Sequence, residues 1–246
     1  MFNLSKTDFR TPFGKLLRFP LKLIPDKTVL LILQGPLKGR RWIKGSSING
    51  CWLGTYELDK QVLFSKYIKS GMTVFDVGAN VGYYSLLASL LTGNEGKVFS
   101  FEPLPENIAY LKKHIELNKL KNVRVVENAV SNEVSKLRFT ATDNRSMSHI
   151  SNEGEIEIET TNLDEFIKEG NPLPDLIKMD IEGAEFDALA GAKELLKRKK
   201  PVIFLATHSA ELRAKCLKLL TEHGYSIKPI GSQSLEESDE FVFSSG

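Results

Sequence analysis

The sequence predicts an α/β fold with a mostly parallel sheet and helices on both faces. From residue 72 onward, short apolar runs alternate with amphipathic segments. This alternation is typical of parallel strands that are buried under helices on both faces. The length of 246 residues suits one large domain with an appendage. We place the appendage at residues 1–55 and the large domain at residues 56–246.

The appendage differs in composition from the rest of the chain. Its segment FGKLLRFPLKLIP, residues 13–25, mixes basic and apolar residues, and Pro20 and Pro25 prevent one long helix. The segment either packs on the body of the protein or lies on an anionic membrane surface. Next, VLLILQG and RRWIKG predict two strands around the Pro/Gly turn PLKG. A helix is predicted from Glu57 to Lys69.

The large domain continues as alternating strands and helices. The predicted strands are TVFDV, KVFSFEP, VRVVENAV, DLIKMD and PVIFLATHS. The predicted helices lie at GYYSLLASLL, PENIAYLKKHIELN, GAEFDALAGAKELLKR and AELRAKCLKLLTEHG. Two β-like runs, KLRFTA and EIEIETT, interrupt this order. YSIKPI and EFVFS predict two final strands.

Composition excludes several classes of protein. The chain has 33 basic and 31 acidic residues, so its charge gives no reason to expect a nucleic-acid partner. Cys51 and Cys216 lie far apart and outside any Cys/His cluster, which argues against a disulfide framework or a structural zinc site. No run approaches the roughly 18 apolar residues of a spanning helix, and no cleavable signal is recognisable. We expect a cytoplasmic location, with any membrane contact at the inner face through residues 13–25.

A glycine-containing turn follows the first strand of the large domain, in VFDVGANVGYY, residues 74–84. Ligands of open α/β sheets bind beyond the carboxyl ends of the strands. Gly78 and Gly82 would let the backbone approach a ligand beside the free N–H groups of the next helix. A purely structural strand-to-helix connection is the alternative. The pattern G-x-N-x-G also differs from the dinucleotide pattern G-x-G-x-x-G.

Polar residues also end the next two strands. Glu102 follows Gly82 by 20 residues, at the position where an acid accepts hydrogen bonds from ribose hydroxyls. The third strand ends in ENAVS, where Asn128 or the backbone beside Ala129 either contacts an adenine edge or belongs to a simple polar strand end. A glycine turn followed by such an acid fits either NAD or S-adenosylmethionine.

Several of these segments together resemble the FkbM-type family of S-adenosylmethionine-dependent O-methyltransferases. The matching segments are GPLKGRRW, GCWLGTYE, VFDVGANVGYYS, FEPLPENIAYLKKHIELN, ENAVS and LIKMDIEGAE. DIEGAE after TTNLDEF is the more specific signature, whereas many class I methyltransferases share DxGAxxG and FEP. The resemblance implies a Rossmann-like, seven-stranded class I methyltransferase sheet with an antiparallel last strand. It also implies methylation of a hydroxyl on a carbohydrate, a glycan precursor or a related natural product.

The resemblance further implies a set of residues around S-adenosylmethionine. Asp76, Gly78 and Asn80 would surround the methionine part, Glu102 the ribose, and Asn128 and Ala129 the adenine. The rest of the implied cofactor-binding set is Ala79, Gly82, Pro103 and Asp180.

Three residues are candidates for the base that a hydroxyl acceptor requires. Asp180 and Glu182 are two residues apart and point the same way in an extended segment. They either act in catalysis, bind a divalent cation, or only stabilise the start of the following helix. His208 follows an apolar strand and is either a base or part of a helix cap completed by Ser209.

Other histidine and aromatic residues have less specific settings. His114 and His223 are predicted to be structural or exposed to solvent. Trp42, Trp52 and Tyr56 either form an aromatic wall over the site or anchor their segment to the core.

Two other functions stay open at this point. A nicotinamide-dependent oxidoreductase agrees with the spacing of Glu102 and disagrees with Asn80 in the glycine turn. A non-catalytic, membrane-associated adaptor would keep only a vestigial pocket, yet Asp76, Glu102 and Asp180 are all retained. The expected partner of the enzyme is a small-molecule or glycan acceptor.

Overall fold

The computed structural model describes residues 11, 19, 21, 23–140, 149–150, 156–232 and 234–245. Most of the segment 13–25, for which membrane contact is predicted, lies outside the described residues. None of the helices within those ranges is long and apolar enough to cross a membrane.

Strands and helices alternate along the described chain. The strands are β1 (Val29–Leu31), β2 (Arg41–Ile43), β3 (Thr73–Val77), β4 (Lys97–Phe101), β5 (Val123–Val126), β6 (Ala129–Val130), β7 (Lys136–Thr140), β8 (His149–Ile150), β9 (Ile156–Thr161), β10 (Leu176–Met179), β11 (Val202–Ala206), β12 (Tyr225–Pro229) and β13 (Glu240–Ser245). The helices are α1 (Asn49–Leu53), α2 (Leu58–Tyr67), α3 (Tyr83–Thr92), α4 (Pro105–Leu117), α5 (Leu163–Lys168), α6 (Glu185–Ala190), α7 (Lys193–Arg198) and α8 (Ala210–Glu222).

Seven strands form the central sheet in the order β12-β13-β11-β10-β3-β4-β5. The strands β5, β4, β3, β10 and β11 are parallel, whereas β13 is antiparallel to both of its neighbours, β11 and β12. Every residue of β3 and β10 is buried, as expected for strands covered on both faces. The predicted seven-stranded sheet with an antiparallel last strand is confirmed.

Helices cover the sheet on both faces and enclose two hydrophobic cores. Neighbouring residues of a strand point to opposite faces, so Phe75 enters one core and Val74 the other. The core around Phe75 includes side chains of α5 to α8. The core around Val74 includes side chains of α1, α2 and α3 and of the β1–β2 hairpin. The appendage therefore shares a core with the central sheet.

The predicted third strand, VRVVENAV, is two strands in the structure. Its first part, β5, belongs to the central sheet, and its second part, β6, pairs with β9 in a small second sheet. The predicted β-like runs at residues 136–141 and 155–161 supply β7 and β9 of that sheet. Asn128 lies in the break between β5 and β6 and is thus placed beside the end of the central sheet.

One predicted helix is also divided. GAEFDALAGAKELLKR forms α6 and α7, with Gly191 between them. A Cβ atom at Gly191 would lie 2.4 Å from the carbonyl oxygen of Ser131. The chain therefore packs backbone against backbone at this position, and a side chain there would prevent the contact.

The β1–β2 hairpin is attached to the large domain through His114 of α4. The rings of Trp42 and His114 stack with centroids 3.9 Å apart. The backbone N–H of Ile43 donates to Nε2 of His114 at 3.1 Å, and Nδ1 of His114 donates to the carbonyl oxygen of Val81 at 2.8 Å. Burial lowers the pKa of His114 to about 4, so the ring is neutral at neutral pH. His114 is structural, as predicted.

Candidate active site

The ends of β3, β4, β5 and β10 meet at a cavity of about 950 Å³. This volume lies near the upper end of the roughly 300–1,000 Å³ typical of ligand pockets. The residues from the predicted set that line the cavity are Gly78, Ala79, Asn80, Glu102, Pro103, Asn128, Ala129, Asp180 and Glu182. Asp76, Gly82 and His208 lie behind this lining. Three strand ends thus converge on one cavity, as the positions of Asp76, Glu102 and Asn128 predict.

Gly78 and Gly82 have a different physical role from the one that the sequence suggests. A Cβ atom at Gly78 would lie 2.0 Å from the carbonyl oxygen of Asp180, and one at Gly82 would lie 2.4 Å from Cδ1 of Leu111. Both glycines have positive φ angles. They are therefore required by the close approach of the protein's own chain, and the interpretation that they make room for a ligand is corrected.

Asp76 is buried beneath the glycine turn. Its Oδ2 accepts a hydrogen bond from the hydroxyl of Ser85 at 2.6 Å. Its Oδ1 has no hydrogen-bond partner in the described part of the chain and lies 3.7 Å from Nζ of Lys178. Burial raises the pKa of Asp76, while Lys178 and Ser85 oppose the increase. Asp76 therefore supports the site from below.

Glu102 holds the loop after β3 to the loop after β4. Its carboxylate accepts hydrogen bonds from the backbone N–H of Asn80 at 2.8 Å, from that of Leu104 at 3.0 Å and from Nδ2 of Asn107 at 3.1 Å. Burial raises its pKa and these hydrogen bonds oppose the increase. Asn80 has a φ of 50°, and its side chain accepts from the N–H of Val81. The predicted ribose ligand therefore also fixes the backbone of the turn.

Lys178, which is not among the predicted site residues, lies at the centre of the site. Its Nζ donates to the carbonyl oxygen of Gly78 at 3.0 Å and lies 3.7 Å from carboxylate oxygens of both Asp76 and Asp180. Only 5% of Lys178 is exposed. A lysine within the apolar strand LIKM is the signal that could have identified it, because buried lysines are rarely unpaired.

Asp180 and Glu182 extend from the loop after β10 into the cavity, with His208 behind them. Nε2 of His208 lies 3.4 Å from Oδ1 of Asp180 and 3.3 Å from Oε2 of Glu182. Its Nδ1 lies 3.0 Å from Oε1 of the fully buried Glu185. Glu185 also accepts hydrogen bonds from the N–H groups of Ile181 and Gly183. Glu185 therefore clamps the acidic loop.

The two acids that face the cavity differ in basicity. Burial would raise the pKa of Asp180, but the positive charges of Lys178, Lys60 and His208 hold it below its usual value. Burial raises the pKa of Glu182, and the negative charges of Asp180 and Glu185 add to the increase while His208 opposes it. Glu182 is therefore the more basic carboxylate, and its φ of 54° is a strained value of the kind found at functional sites.

His208 is a cation at neutral pH in this arrangement. Its hydrogen bond to Glu185 is the main cause that raises its pKa to about 9, and the nearby carboxylates add to it against the effect of burial. A protonated imidazole has no free lone pair for an incoming proton. Ser209 caps α8 by accepting from the N–H of Leu212 at 3.2 Å, so the predicted cap is confirmed.

The acidic loop does not fit a divalent cation well. Asp180, Glu185 and His208 offer ligand atoms within 4.8 Å of one another. However, Glu185 already accepts from two backbone N–H groups and from His208. A cation would have to displace the proton of His208 and these hydrogen bonds.

Aromatic residues form another part of the cavity wall. Tyr56, Tyr83 and Tyr84 line the cavity, and the hydroxyl of Tyr84 donates to Oε2 of Glu57 at 2.8 Å. The buried ammonium of Lys60 pairs with Glu57 and with Glu240 of β13. Trp42 and Trp52 are instead buried in the core as anchors. The aromatic-wall interpretation therefore applies to Tyr56 and not to the tryptophans.

The model of the methyltransferase FkbM domain matches residues 76–227, more than half of the chain. The chain belongs to the FkbM methyltransferase family. Its sheet and cavity accordingly belong to a methyltransferase FkbM domain. The relatives give no support to the oxidoreductase or the adaptor.

Individual relatives agree with the family. The chain is 27% identical over 176 residues to the hexuronic acid methyltransferase AglP of Haloferax volcanii, covering 69% of this chain and 68% of that protein. It is 28% identical over 153 residues to the 2-O-methyltransferase NoeI of Sinorhizobium fredii, covering 54% of this chain and 62% of that protein. A match of 40% identity to the ribosomal protein L11 methyltransferase of Acetivibrio thermocellus covers 29% of this chain and 23% of that protein.

A solved structure shows the same fold. The methyltransferase FkbM of Methylobacillus flagellatus superposes with a TM-score of 0.53 at 16% identity, over 80% of this chain and 55% of that chain. The chain thus spans about half the length of that structure, and less than two thirds of NoeI and of the L11 methyltransferase.

Proposed function

We propose that this FkbM methyltransferase moves the methyl group of S-adenosylmethionine to a hydroxyl of a carbohydrate, a glycan precursor or a related natural product. The observation that carries the proposal is that one cavity has two chemically different walls. One wall carries Glu102 and Asn128 at adjacent strand ends, and the other carries Asp180 and Glu182. The printed names of AglP and NoeI, a hexuronic acid methyltransferase and a 2-O-methyltransferase, support the acceptor class and the acceptor atom.

The proposed cofactor site uses the ends of β3, β4 and β5. Gly78, Ala79 and Asn80 would face the methionine part, with Asp76 and Gly82 supporting the turn from behind. Glu102 and Pro103 would face the ribose, and the carboxylate of Glu102 still has a lone pair beyond those used by Asn80, Leu104 and Asn107. Asn128 and Ala129 would lie by the adenine, and Asp180 would lie near the sulfur.

S-adenosylmethionine supplies an electrophilic methyl group, so the chain's residues have to orient the acceptor, exclude water and remove a proton. The acceptor oxygen forms a bond to the methyl carbon as the carbon–sulfur bond breaks, and that electron pair stays on sulfur. The hydroxyl proton passes to a carboxylate of the acidic loop. We assign it to Glu182, because Glu182 faces the cavity and is the more basic of the two acids.

Asp180 and His208 act with Glu182 in this proposal. Asp180 stays ionised beside Lys178 and would stabilise the positive charge that develops on the acceptor oxygen during methyl transfer. His208 lies within 3.4 Å of Asp180 and 3.3 Å of Glu182 and keeps the two carboxylates together. The proposed mechanism includes no step through a divalent cation, because the oxygens of Glu185 are already occupied.

The test combines cofactor binding with methyl transfer. Titration calorimetry should show binding of S-adenosylmethionine to the full chain, and mass spectrometry should detect a labelled methyl group on sugars from a panel of glycosides. Glu182→Gln should lower kcat by about 100-fold or more and leave cofactor affinity within about threefold. The matched variant Glu127→Gln, at an exposed ion pair outside the cavity, should change neither value. Absence of cofactor binding, or methylation of none of the sugars, would contradict the proposal.

We further propose that residues 13–25 contact anionic lipid at the inner face of a membrane. Residues 1–55 contain ten Lys or Arg and two Asp, whereas residues 56–246 contain 23 Lys or Arg and 29 Asp or Glu. Such an asymmetry favours an anionic surface for the first segment. Co-sedimentation with vesicles that contain phosphatidylglycerol, and none with phosphatidylcholine alone, is the expected result. Equal binding to both would contradict this proposal.

A further inference from the structure

The described walls of the cavity carry an excess of negative charge. Four carboxylates line it, those of Glu102, Asp180, Glu182 and Asp187. Lys178 is the single lysine or arginine among the described lining residues. Asp187 lies in the first turn of α6, is exposed, and has no part in the proposed proton transfer.

The positive charges near these walls are already paired. Lys178 donates to the carbonyl oxygen of Gly78 and lies 3.7 Å from both Asp76 and Asp180. His208 is placed among Asp180, Glu182 and the buried Glu185. Neither cation is therefore available to an anionic group of an acceptor.

Binding of S-adenosylmethionine would not reverse the balance. The charges of its amino and carboxylate groups cancel. Its sulfonium then adds one positive charge, whereas the lining has three more carboxylates than cationic side chains. The acceptor would thus enter a space that is still negative. A like charge placed against such walls is strongly disfavoured, which is a common means of rejecting a wrong partner.

We propose, resting on the proposed function, that the acceptor is an uncharged polyhydroxyl sugar and that this cavity rejects sugars with a carboxylate or a phosphate. The acceptor atom is then a hydroxyl oxygen, and the product is a methyl ether. Transfer to a sugar carboxylate, which would form a methyl ester, is excluded by the same charges. The proposed acceptor is therefore a carbohydrate without the carboxylate of the hexuronic acid in the name of AglP.

Matched glycosides that differ only at carbon 6 test the inference. The kcat/KM for 4-nitrophenyl glucoside should exceed that for 4-nitrophenyl glucuronide by at least about tenfold, and the galactoside and galacturonide should behave alike. The label on the product should survive mild alkali, which cleaves esters and leaves ethers. Equal or better use of the glucuronide, or loss of the label in alkali, would overturn the inference.

A charge-neutral variant tests the cause of the preference. Asp187→Asn should reduce the glucoside-to-glucuronide ratio of kcat/KM by about threefold, mainly through better use of the glucuronide. Glu194→Gln is the control, because Glu194 is an exposed acid on α7 outside the cavity lining. A ratio in Asp187→Asn equal to that in the control would contradict the inference.

A binding experiment distinguishes failure of this inference from failure of the proposed function. If none of the sugars is methylated, the proposed function fails, and the charge inference is decided by saturation-transfer NMR on the protein loaded with S-adenosylhomocysteine. The glucoside should then give the stronger transfer signal. An equal or stronger signal from the glucuronide, or no signal from either sugar, would overturn the inference.

Discussion

At the residue scale, Lys178 is the side chain on which the described charges of the site depend most. It lies between Asp76 and Asp180 and joins the loop after β3 to the strand β10. The two acids are predictable from the sequence because each lies near the end of an apolar strand, a position associated with ligands. The lysine stands out as a charge within an apolar strand, but the strand pattern does not show which buried acids it meets across neighbouring strands.

We predict that Lys178→Met destabilises the protein by about 3–5 kcal/mol, because it leaves the buried carboxylate of Asp76 without its cation. Urea unfolding monitored by fluorescence measures this change. Lys136→Met is the matched control, since the Lys136–Glu157 pair is exposed, and it should leave the unfolding midpoint unchanged. Similar midpoints for the two variants would show that Lys178 is not required to balance the acids.

His208 should make stability depend on pH. Its pKa is raised in the folded state from 6.5 to about 9, so its contribution is complete below pH 6.5 and is lost as the pH rises through 9. After discounting for its partial exposure, we expect His208→Asn to cost about 1–2 kcal/mol at pH 6 and almost nothing at pH 10. Thermal unfolding at both pH values measures the difference.

The neighbouring cap residue supplies the control for His208. Ser209→Ala should cost about 1 kcal/mol at both pH values, because a hydroxyl cap does not titrate in this range. A loss in His208→Asn that is the same at pH 6 and pH 10 would mean that the imidazole acts only through packing.

Metal removal tests the acidic loop directly. Since Glu185 and His208 already satisfy each other, we expect methyl transfer to continue at its full rate after exhaustive treatment with EDTA. Loss of activity that is restored by Mg²⁺ or Mn²⁺ would show that a cation displaces this arrangement.

At the element scale, the sequence predicts the sheet well and its connections less well. The inner strands β3, β4, β10 and β11 are short, mostly apolar runs, and burial on both faces makes that pattern specific. The division of the predicted helix at Gly191 depends on the distant backbone of Ser131, which no local pattern reveals. The same holds for the break between β5 and β6, which follows from pairing with β9.

At Gly78 in the glycine turn, the separation between β3 and β10 should depend on the absence of a side chain. Gly78→Ala should prevent β3 and β10 from keeping their present separation at their carboxyl ends, because its Cβ would lie 2.0 Å from the carbonyl oxygen of Asp180. Both stability and cofactor affinity should fall. Gly39→Ala is the control, with a φ of 82° and no atom within 4 Å, and it should cost only about 1–2 kcal/mol. Equal unfolding midpoints would disprove the predicted clash.

At the scale of the whole molecule, the proposed boundary near residue 55 does not separate two cores. Ile32, Leu37 and Trp42 from the appendage are buried in the core that also contains Phe204 and Val242 of the central sheet. We keep residues 1–55 as a proposed appendage in composition and charge. Its hairpin, however, contributes to the packing of the large domain.

Removal of the appendage should therefore impair folding. A chain of residues 56–246 would expose the apolar surface that Trp42 and its neighbours cover, and we expect aggregation or loss of cooperative unfolding. The milder variant Trp42→Ala should fold and lose about 3–5 kcal/mol. Calorimetric unfolding of both proteins measures this. A truncated chain as stable as the full chain would disprove the role of the hairpin.

The clamp formed by Glu185 affects how the acceptor preference of related enzymes can diverge. The acids that face the cavity and the residue that fixes their loop occupy one short stretch, residues 180–185. The backbone of this stretch is held through Ile181 and Gly183, so the position of Glu182 does not depend on the exposed side chain of Asp187. Single substitutions at Asp187 would alter the charge presented to an acceptor at little cost to folding. Related enzymes could thus acquire new substrates one residue at a time.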